Sequence, residues 1–322
     1  MTHYKPDDSM KTPRFCSIRT FFRLPTITPD DLTGVDLVVT GVPTDSAVGF
    51  RTGARFGPEG IRNASILLRP FHPSHLVDIT EELSMVDIGD SPVWPGYHLE
   101  TLQKIEQHFA QIYEQNCISF ALGGDHSITI GELRAAHKRY GKLALIHIDA
   151  HGDVLDDYYG GIKHFHGTVF RRAVEEGLVD PEISFQIGMR GSIYPQDLNQ
   201  GTELGFNVIS WDELHQSDFA ALGKRVRDAV GDRKVFLSFD IDFLDPAFAS
   251  GTGTPEPGGP SSYEAMQLIR QLGPMNYCGM DLVEVAPVLD QSGATCITAA
   301  NIAFELLSLV ALAKKKGIVK NV

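Results

Sequence analysis

Residues 143–153 read L-A-L-I-H-I-D-A-H-G-D, and this stretch decides the fold. Its first six residues form a nearly continuous apolar run. It is too short for a buried helix and lacks the polar alternation of a strand with one wet face. It therefore reads as a strand covered on both sides. Ionisable residues then begin abruptly, with Asp149, His151 and Asp153 spaced two apart. The same grammar recurs three times. The run 118–122 leads into Gly123-Gly124-Asp125-His126, the run 235–239 into Asp240-Ile241-Asp242, and residues 278–280 into Asp281-Leu282-Val283-Glu284. Further apolar runs lie at 35–42, 83–88 and 184–187. Helical patterns at 58–64, 97–114, 128–140, 169–176, 218–230, 262–272 and 295–314 separate most of them. Strand–helix alternation of this kind predicts a mostly parallel central sheet with helices on both faces, a three-layer α/β/α sandwich. We read one domain over 34–322, preceded by a Pro- and Thr-rich arm at 1–33 with an apolar patch at Phe21, Phe22 and Leu24.

In an open parallel sheet the carboxyl ends of the strands form the ligand-binding rim. This chain sends some ten ionisable groups there. Carboxylates that close together repel one another, and a bound cation is the usual remedy. Imidazole plus carboxylate, without thiolate, suits Mn, Fe, Co, Ni or Zn. His126, Asp149, His151, Asp153, Asp240 and Asp242 are too many ligands for one catalytic ion. They suit two ions sharing a water, an arrangement used for hydrolysis. Asp125 and Asp245 read instead as turn or cap residues. His147 is expected to face away from the ligands. Arg51, Gly53 and Arg55 sit in a Gly-rich turn without the spacing of a phosphate loop.

The motifs G-G-D-H-S at 123–127, D-A-H-G-D at 149–153 and S-F-D-I-D-F-L-D-P at 238–246 resemble the three signatures of the ureohydrolase (arginase/agmatinase) family. R-x-G-A-R-F-G-P at 51–58, H-G-T-x-F at 166–170, G-T-G-T-P at 251–255 and V-E-V-A-P at 283–287 extend the resemblance over about residues 34–310. The nearest look is the agmatinase-like branch, with guanidinobutyrase, guanidinopropionase and proclavaminate amidinohydrolase. The resemblance implies an arginase-like fold, two Mn²⁺ per subunit (Ni²⁺ in some members), cleavage of a guanidino group to urea plus an amine, and a homo-oligomer, trimer or hexamer. Carried over by position, His126, Asp149, Asp153 and Asp240 would ligate one ion. Asp149, His151, Asp240 and Asp242 would ligate the other, with Asp149 and Asp240 bridging. Asp153 would also aim the attacking water, His166 would shuttle a proton, with His164 as its competitor, and Glu284 would pair with the guanidinium.

The substrate is less legible. In the family this chain resembles, arginases carry an Asn two residues beyond the last Asp of D-A-H-x-D to hold the substrate's α-carboxylate, and members acting on arginine carry an Asp after the Q-I-G-x-R strand; here those places hold Leu155 and Gly191-Ser192. Without those partners arginine is disfavoured. A cationic tail suits a net charge of −13, so agmatine comes first. A guanidino acid held by Arg51 or Arg190 comes second, and Leu155 leaves open a guanidine or biguanide with apolar substituents. Gly152 replaces the Thr or Ser common in agmatinases. The rival classes are a metal-dependent deacetylase or amidase and a silent regulatory subunit of a hetero-oligomer. The acidic balance argues against nucleic acid and anionic membrane as partners. Widely spaced Cys16, Cys117, Cys278 and Cys296, and a polar N-terminus, lead us to expect a cytoplasmic protein. The apolar segment 296–313 reads as a buried amphipathic helix, and Trp94 as a possible entrance residue.

Overall fold

The computed structural model describes residues 2–319. The chain runs β1 (Leu37–Gly41), α1 (Gly57–Ser65), β2 (Phe71–His72), β3 (Val77–Asp78), α2 (Ile79–Glu82), β4 (Met85–Asp90), α3 (His98–Glu114), β5 (Ile118–Leu122), α4 (Thr129–Tyr140), β6 (Ala144–Ile148) and α5 (Val169–Glu175). It continues through β7 (Phe185–Met189), α6 (Gln200–Glu203), β8 (Asn207–Ser210), α7 (Trp211–His215), α8 (Phe219–Val230), β9 (Val235–Asp240), α9 (Ser262–Leu272), β10 (Tyr277–Val283) and α10 (Ala294–Lys315). Eight strands form one sheet in the order β4-β1-β5-β10-β9-β6-β7-β8, and every pairing in it is parallel. A parallel sheet puts all carboxyl ends on one edge. The four strands that carry the ionisable motifs, β5, β10, β9 and β6, are consecutive neighbours at its centre.

Strand alternation sorts the core into two layers. Leu37 and Val39 of β1, Phe120 of β5 and Ile146 of β6 pack in one layer with residues of α1, α2 and α7–α10. Val38, Ala121 and Leu145 pack in the other with residues of α3, α4 and α5. Both faces are therefore covered, which is why the strands lack a polar stripe. The edge strand β8 escapes the sequence reading because N-V-I-S is short and only one of its residues is buried. The hairpin of β2 and β3 pairs two residues with two and was not expected either.

α10 corrects another expectation. It is long and apolar enough to cross a membrane by length and composition, yet Ile302, Leu306, Leu309 and Val310 are fully buried in the core. Rather than amphipathic, it is apolar almost all round, as a central helix must be. Its one buried charge, Glu305, accepts from Nε of Arg270 on α9 (3.0 Å) and lies 2.8 Å from Nε2 of His72. The N-terminal segment folds against this layer. Phe21 and Phe22 are fully buried, each contributing about 1.5–3 kcal/mol by leaving water. Their amides donate to Asp87 and to Oγ of Ser65, both at 2.7 Å.

Candidate active site

β5 ends in a turn that only glycine permits: a Cβ on Gly124 would lie 1.9 Å from the Thr44 carbonyl oxygen. Asp125 then accepts the Ser127 amide at 3.0 Å and the Ala47 amide at 3.1 Å, a capping and loop-holding role. His126 follows, fully buried. Its Nε2 lies 2.8 Å from Oγ of Ser238, which gives its own proton to Asp281 at 2.6 Å. The serine must therefore accept from Nε2–H, leaving the lone pair on Nδ1. Thr129 on α4 completes the chain with a 2.7 Å bond to the second oxygen of Asp281.

That Nδ1 is buried without a hydrogen-bond partner. Carboxylate oxygens of Asp153 (3.0 Å), Asp149 (3.1 Å) and Asp240 (3.3 Å) surround it. A lone pair facing three anions is tolerable only around a cation. Donors about 2.1 Å from one ion and at right angles to each other lie about 3 Å apart, the spacing found here. A second group lies alongside. Nδ1 of His151 is 3.1 Å from Oδ2 of Asp242 and 3.5 Å from Oδ1 of Asp149. Asp149 thus turns one oxygen to each imidazole, as a bridging ligand would. In Asp240, Oδ1 accepts the Asp242 amide at 2.8 Å while Oδ2 faces His126. All six expected ligands converge.

Crowding shifts the acidities within the cluster. Burial pushes Asp240 well above the ordinary carboxylate range, and the charges of Asp242 and Asp149 add to it. Asp242 is pushed up to about 6, chiefly by burial. Burial would raise Asp149 too, but His147, His126 and His151 hold it well below its usual value. Burial opposes protonation of His126, yet Asp149, Asp153 and Asp240 lift it well above the usual imidazole value.

His147 does not face away. It shares strand parity with Asp149, and its Nε2 lies 2.7 Å from Oδ2 of that residue. The side-chain amide of Gln186 donates to its Nδ1 at 3.2 Å and to the Gly152 carbonyl at 2.5 Å. This pair holds Asp149 from behind, a role that period-two spacing on 147 and 149 already implied.

Glu284 accepts the His126 amide at 2.9 Å, and Nδ1 of His166 is 3.3 Å from the same oxygen. On its other side, Nε2 of His166 accepts the Gly49 amide at 2.9 Å. The neutral ring thus carries its proton on Nδ1, toward Glu284. Burial disfavours the His166 cation, but the hydrogen bond and charge of Glu284, with Asp153 and Asp125, lift its pKa to about 9. Taking a second proton requires releasing Gly49. Asp153 and Glu284 both adopt left-handed backbone, at φ 51° and 63°. Such geometry costs a non-glycine residue on the order of 1 kcal/mol.

Other candidates lie elsewhere. His164 sits among Leu102, Ile130 and Arg172, away from the ligands. Trp94 lies beyond the sheet-edge strand β4, with the Lys104 amine 5.0 Å from its ring centre. Arg51 donates to the carbonyls of Gly253 (3.2 Å) and Thr252 (2.7 Å). Arg190 donates to those of Asp242 (2.8 Å), Phe243 (2.9 Å), Leu244 (3.3 Å) and Glu256 (2.7 Å). The terminal nitrogens of Arg190 are therefore committed to the backbone, which counters the idea that it holds a substrate carboxylate, while Arg51 is anchored through Nε and Nη2.

The arginase-family model matches residues 35–308. The chain belongs to the arginase family. Enzymes of that family use a binuclear metal centre, which the two His/Asp groups fit. Guanidinopropionase of Pseudomonas aeruginosa is 42% identical to this arginase-family chain, over 96% of both proteins. Agmatinase of Neisseria meningitidis is 42% identical, over 90% of this chain and 92% of its own. The solved proclavaminate amidino hydrolase of Streptomyces clavuligerus superposes with a TM-score of 0.88 at 38% identity, covering 94% of this chain and 100% of that one. The protein is accordingly a hydrolase of the amidinohydrolase group, acting on guanidino compounds.

Proposed function

We propose that the protein hydrolyses agmatine to putrescine and urea with two Mn²⁺ per subunit, Ni²⁺ being the alternative metal. The observation that carries this reading is the pair of imidazoles sharing Asp149, with Glu284 beside them. His126, Asp149, His151, Asp153, Asp240 and Asp242 would hold the ions, which when bound would make a water acidic enough to be nucleophilic at neutral pH. The remaining work falls to side chains. Asp153 accepts a hydrogen bond from the attacking water and directs it. Glu284 pairs with the guanidinium and orients its carbon toward that water. His166, with Nδ1 toward Glu284, returns a proton to the departing amine.

Agmatine is preferred to a guanidino acid because a cationic tail suits the net charge of −13, and the terminal nitrogens of Arg190 are bonded to main-chain carbonyls. We further propose a cytoplasmic homo-oligomer, trimer or hexamer. Buried, unpaired Cys117, Cys278 and Cys296 suit a reducing compartment, and exposed Phe15, Ile18, Tyr194 and Leu198 offer apolar surface for contacts. The decisive test is urea release from agmatine, 4-guanidinobutyrate and arginine by Mn- and Ni-loaded protein. Asp240→Asn should abolish release and lower metal content while leaving the circular dichroism spectrum intact. Release at the wild-type rate would refute the ligand assignment.

A further inference from the structure

Beside the metal-ligand cluster lies one carboxylate that the reaction above does not use. Glu256 belongs to the loop Thr254-Pro255-Glu256-Pro257, and its Oε1 is 3.8 Å from Nε2 of His151. This is too long for a hydrogen bond, so Glu256 is not the group that orients His151. Among the described residues no donor reaches its carboxylate. The nearest guanidinium, Arg190, bonds its carbonyl oxygen instead, at 2.7 Å.

The position is nonetheless fixed. Prolines on both sides restrict the backbone. The Arg190 bond anchors the carbonyl. The segment at Gly191 lies so close that a Cβ there would sit 2.6 Å from the Glu256 carboxyl group, at a φ of 85° that also favours glycine. On this pinned backbone the carboxylate stands about a quarter exposed, one imidazole ring outward from the metal-facing nitrogen of His151. The Glu256 charge meets the Arg190 guanidinium only at longer range, with no hydrogen bond between the two side chains, which leaves the carboxylate open to a second cation. Its pre-set geometry lowers the entropic cost of binding one.

We propose that Glu256 binds the cationic end of the substrate's tail, making it the residue that selects a guanidine bearing a second positive charge. Glu284 grips one end of such a dication within the site and Glu256 the other at its mouth. This inference rests on the agmatine reading and assigns it to a particular side chain.

The test compares wild type, Glu256→Gln and Glu256→Asp on agmatine, N-butylguanidine (equal chain length, no terminal charge) and 4-guanidinobutyrate. Metal content and melting temperature are measured for each protein. For Glu256→Gln we expect KM for agmatine to rise at least tenfold more than KM for N-butylguanidine, the effect of losing one charge-assisted hydrogen bond. The kcat for agmatine should change far less than KM, and KM for 4-guanidinobutyrate should fall. Wild-type KM for agmatine should also rise with salt, a dependence that Glu256→Gln loses and Glu256→Asp partly restores. Equal losses on agmatine and N-butylguanidine, with reduced metal content, would make Glu256 a support for His151 and overturn the assignment. Unchanged discrimination in a wild type that prefers agmatine would overturn the Glu256 assignment alone. A wild type that prefers 4-guanidinobutyrate would overturn the agmatine reading and this inference with it.

Discussion

At the scale of single residues, the chain behind His126 is as informative as the ligands. Ser238, Asp281 and Thr129 touch no substrate, yet together they decide which imidazole nitrogen faces the carboxylates. Support of this kind typically contributes 10–100-fold to metal affinity. Ser238→Ala should therefore weaken binding at the His126 side by about tenfold or more, measured by metal titration calorimetry, with the fold retained. Affinity equal to wild type would mean the tautomer is set elsewhere. His126, Asp149, His151, Asp153, Asp240 and Asp242 were readable because each follows an apolar strand with no reason of its own to end in charge. The commitments of Arg51 and Arg190 were not readable. They depend on carbonyls of residues far along the chain, at 242–256, which no local pattern announces.

Among the elements, α10 shows how a buried charge can be kept in an apolar helix. Burial alone would raise the pKa of Glu305, but His72 and Arg270 reverse the sign and hold it below the usual glutamate range. A carboxylate with a lowered folded pKa stabilises the native state above its unfolded value. That contribution is lost as pH falls through the folded value. Thermal melts should thus show a loss of stability in acid that Glu305→Gln largely removes. At neutral pH the same variant should be destabilised, because Arg270 loses its partner; truncation to Ala should cost about 3 kcal/mol or more. A pH-independent difference between the two proteins would refute this account.

The central strands were legible as elements because burial on both faces leaves an uninterrupted apolar run. β8 was not, since an edge strand of four residues with polar ends lacks that signature. Periodicity within α10 misled in the opposite direction: Asn301 lies on a half-exposed stripe with Ile297 and Phe304 that is largely apolar, and Glu305 is buried in the core. Asn301 instead bonds its own helix at the Ile297 carbonyl, 2.8 Å away.

For the molecule as a whole, the sheet order explains why one chain can hold so concentrated a charge. β5, β10, β9 and β6 lie side by side, so their ends converge without long loops. The acidity concentrated there belongs to a fold that expects cations. Chelation should abolish urea release and lower the melting temperature by several degrees. Restoring metal at a hundredfold excess over its dissociation constant should return about 2.7 kcal/mol. An unchanged melt in fully stripped protein would show that the cluster is stable bare.

Asp153, in its left-handed backbone, has a consequence for inheritance. A duplicated copy released from its chemical duty would gain by drifting to glycine there, shedding both an unfavourable torsion and a repelling charge. Asp153→Gly should accordingly outlast wild type on heating in chelator, while releasing no urea when metal is present. The identity of that residue would then separate working descendants from ornamental ones on sight.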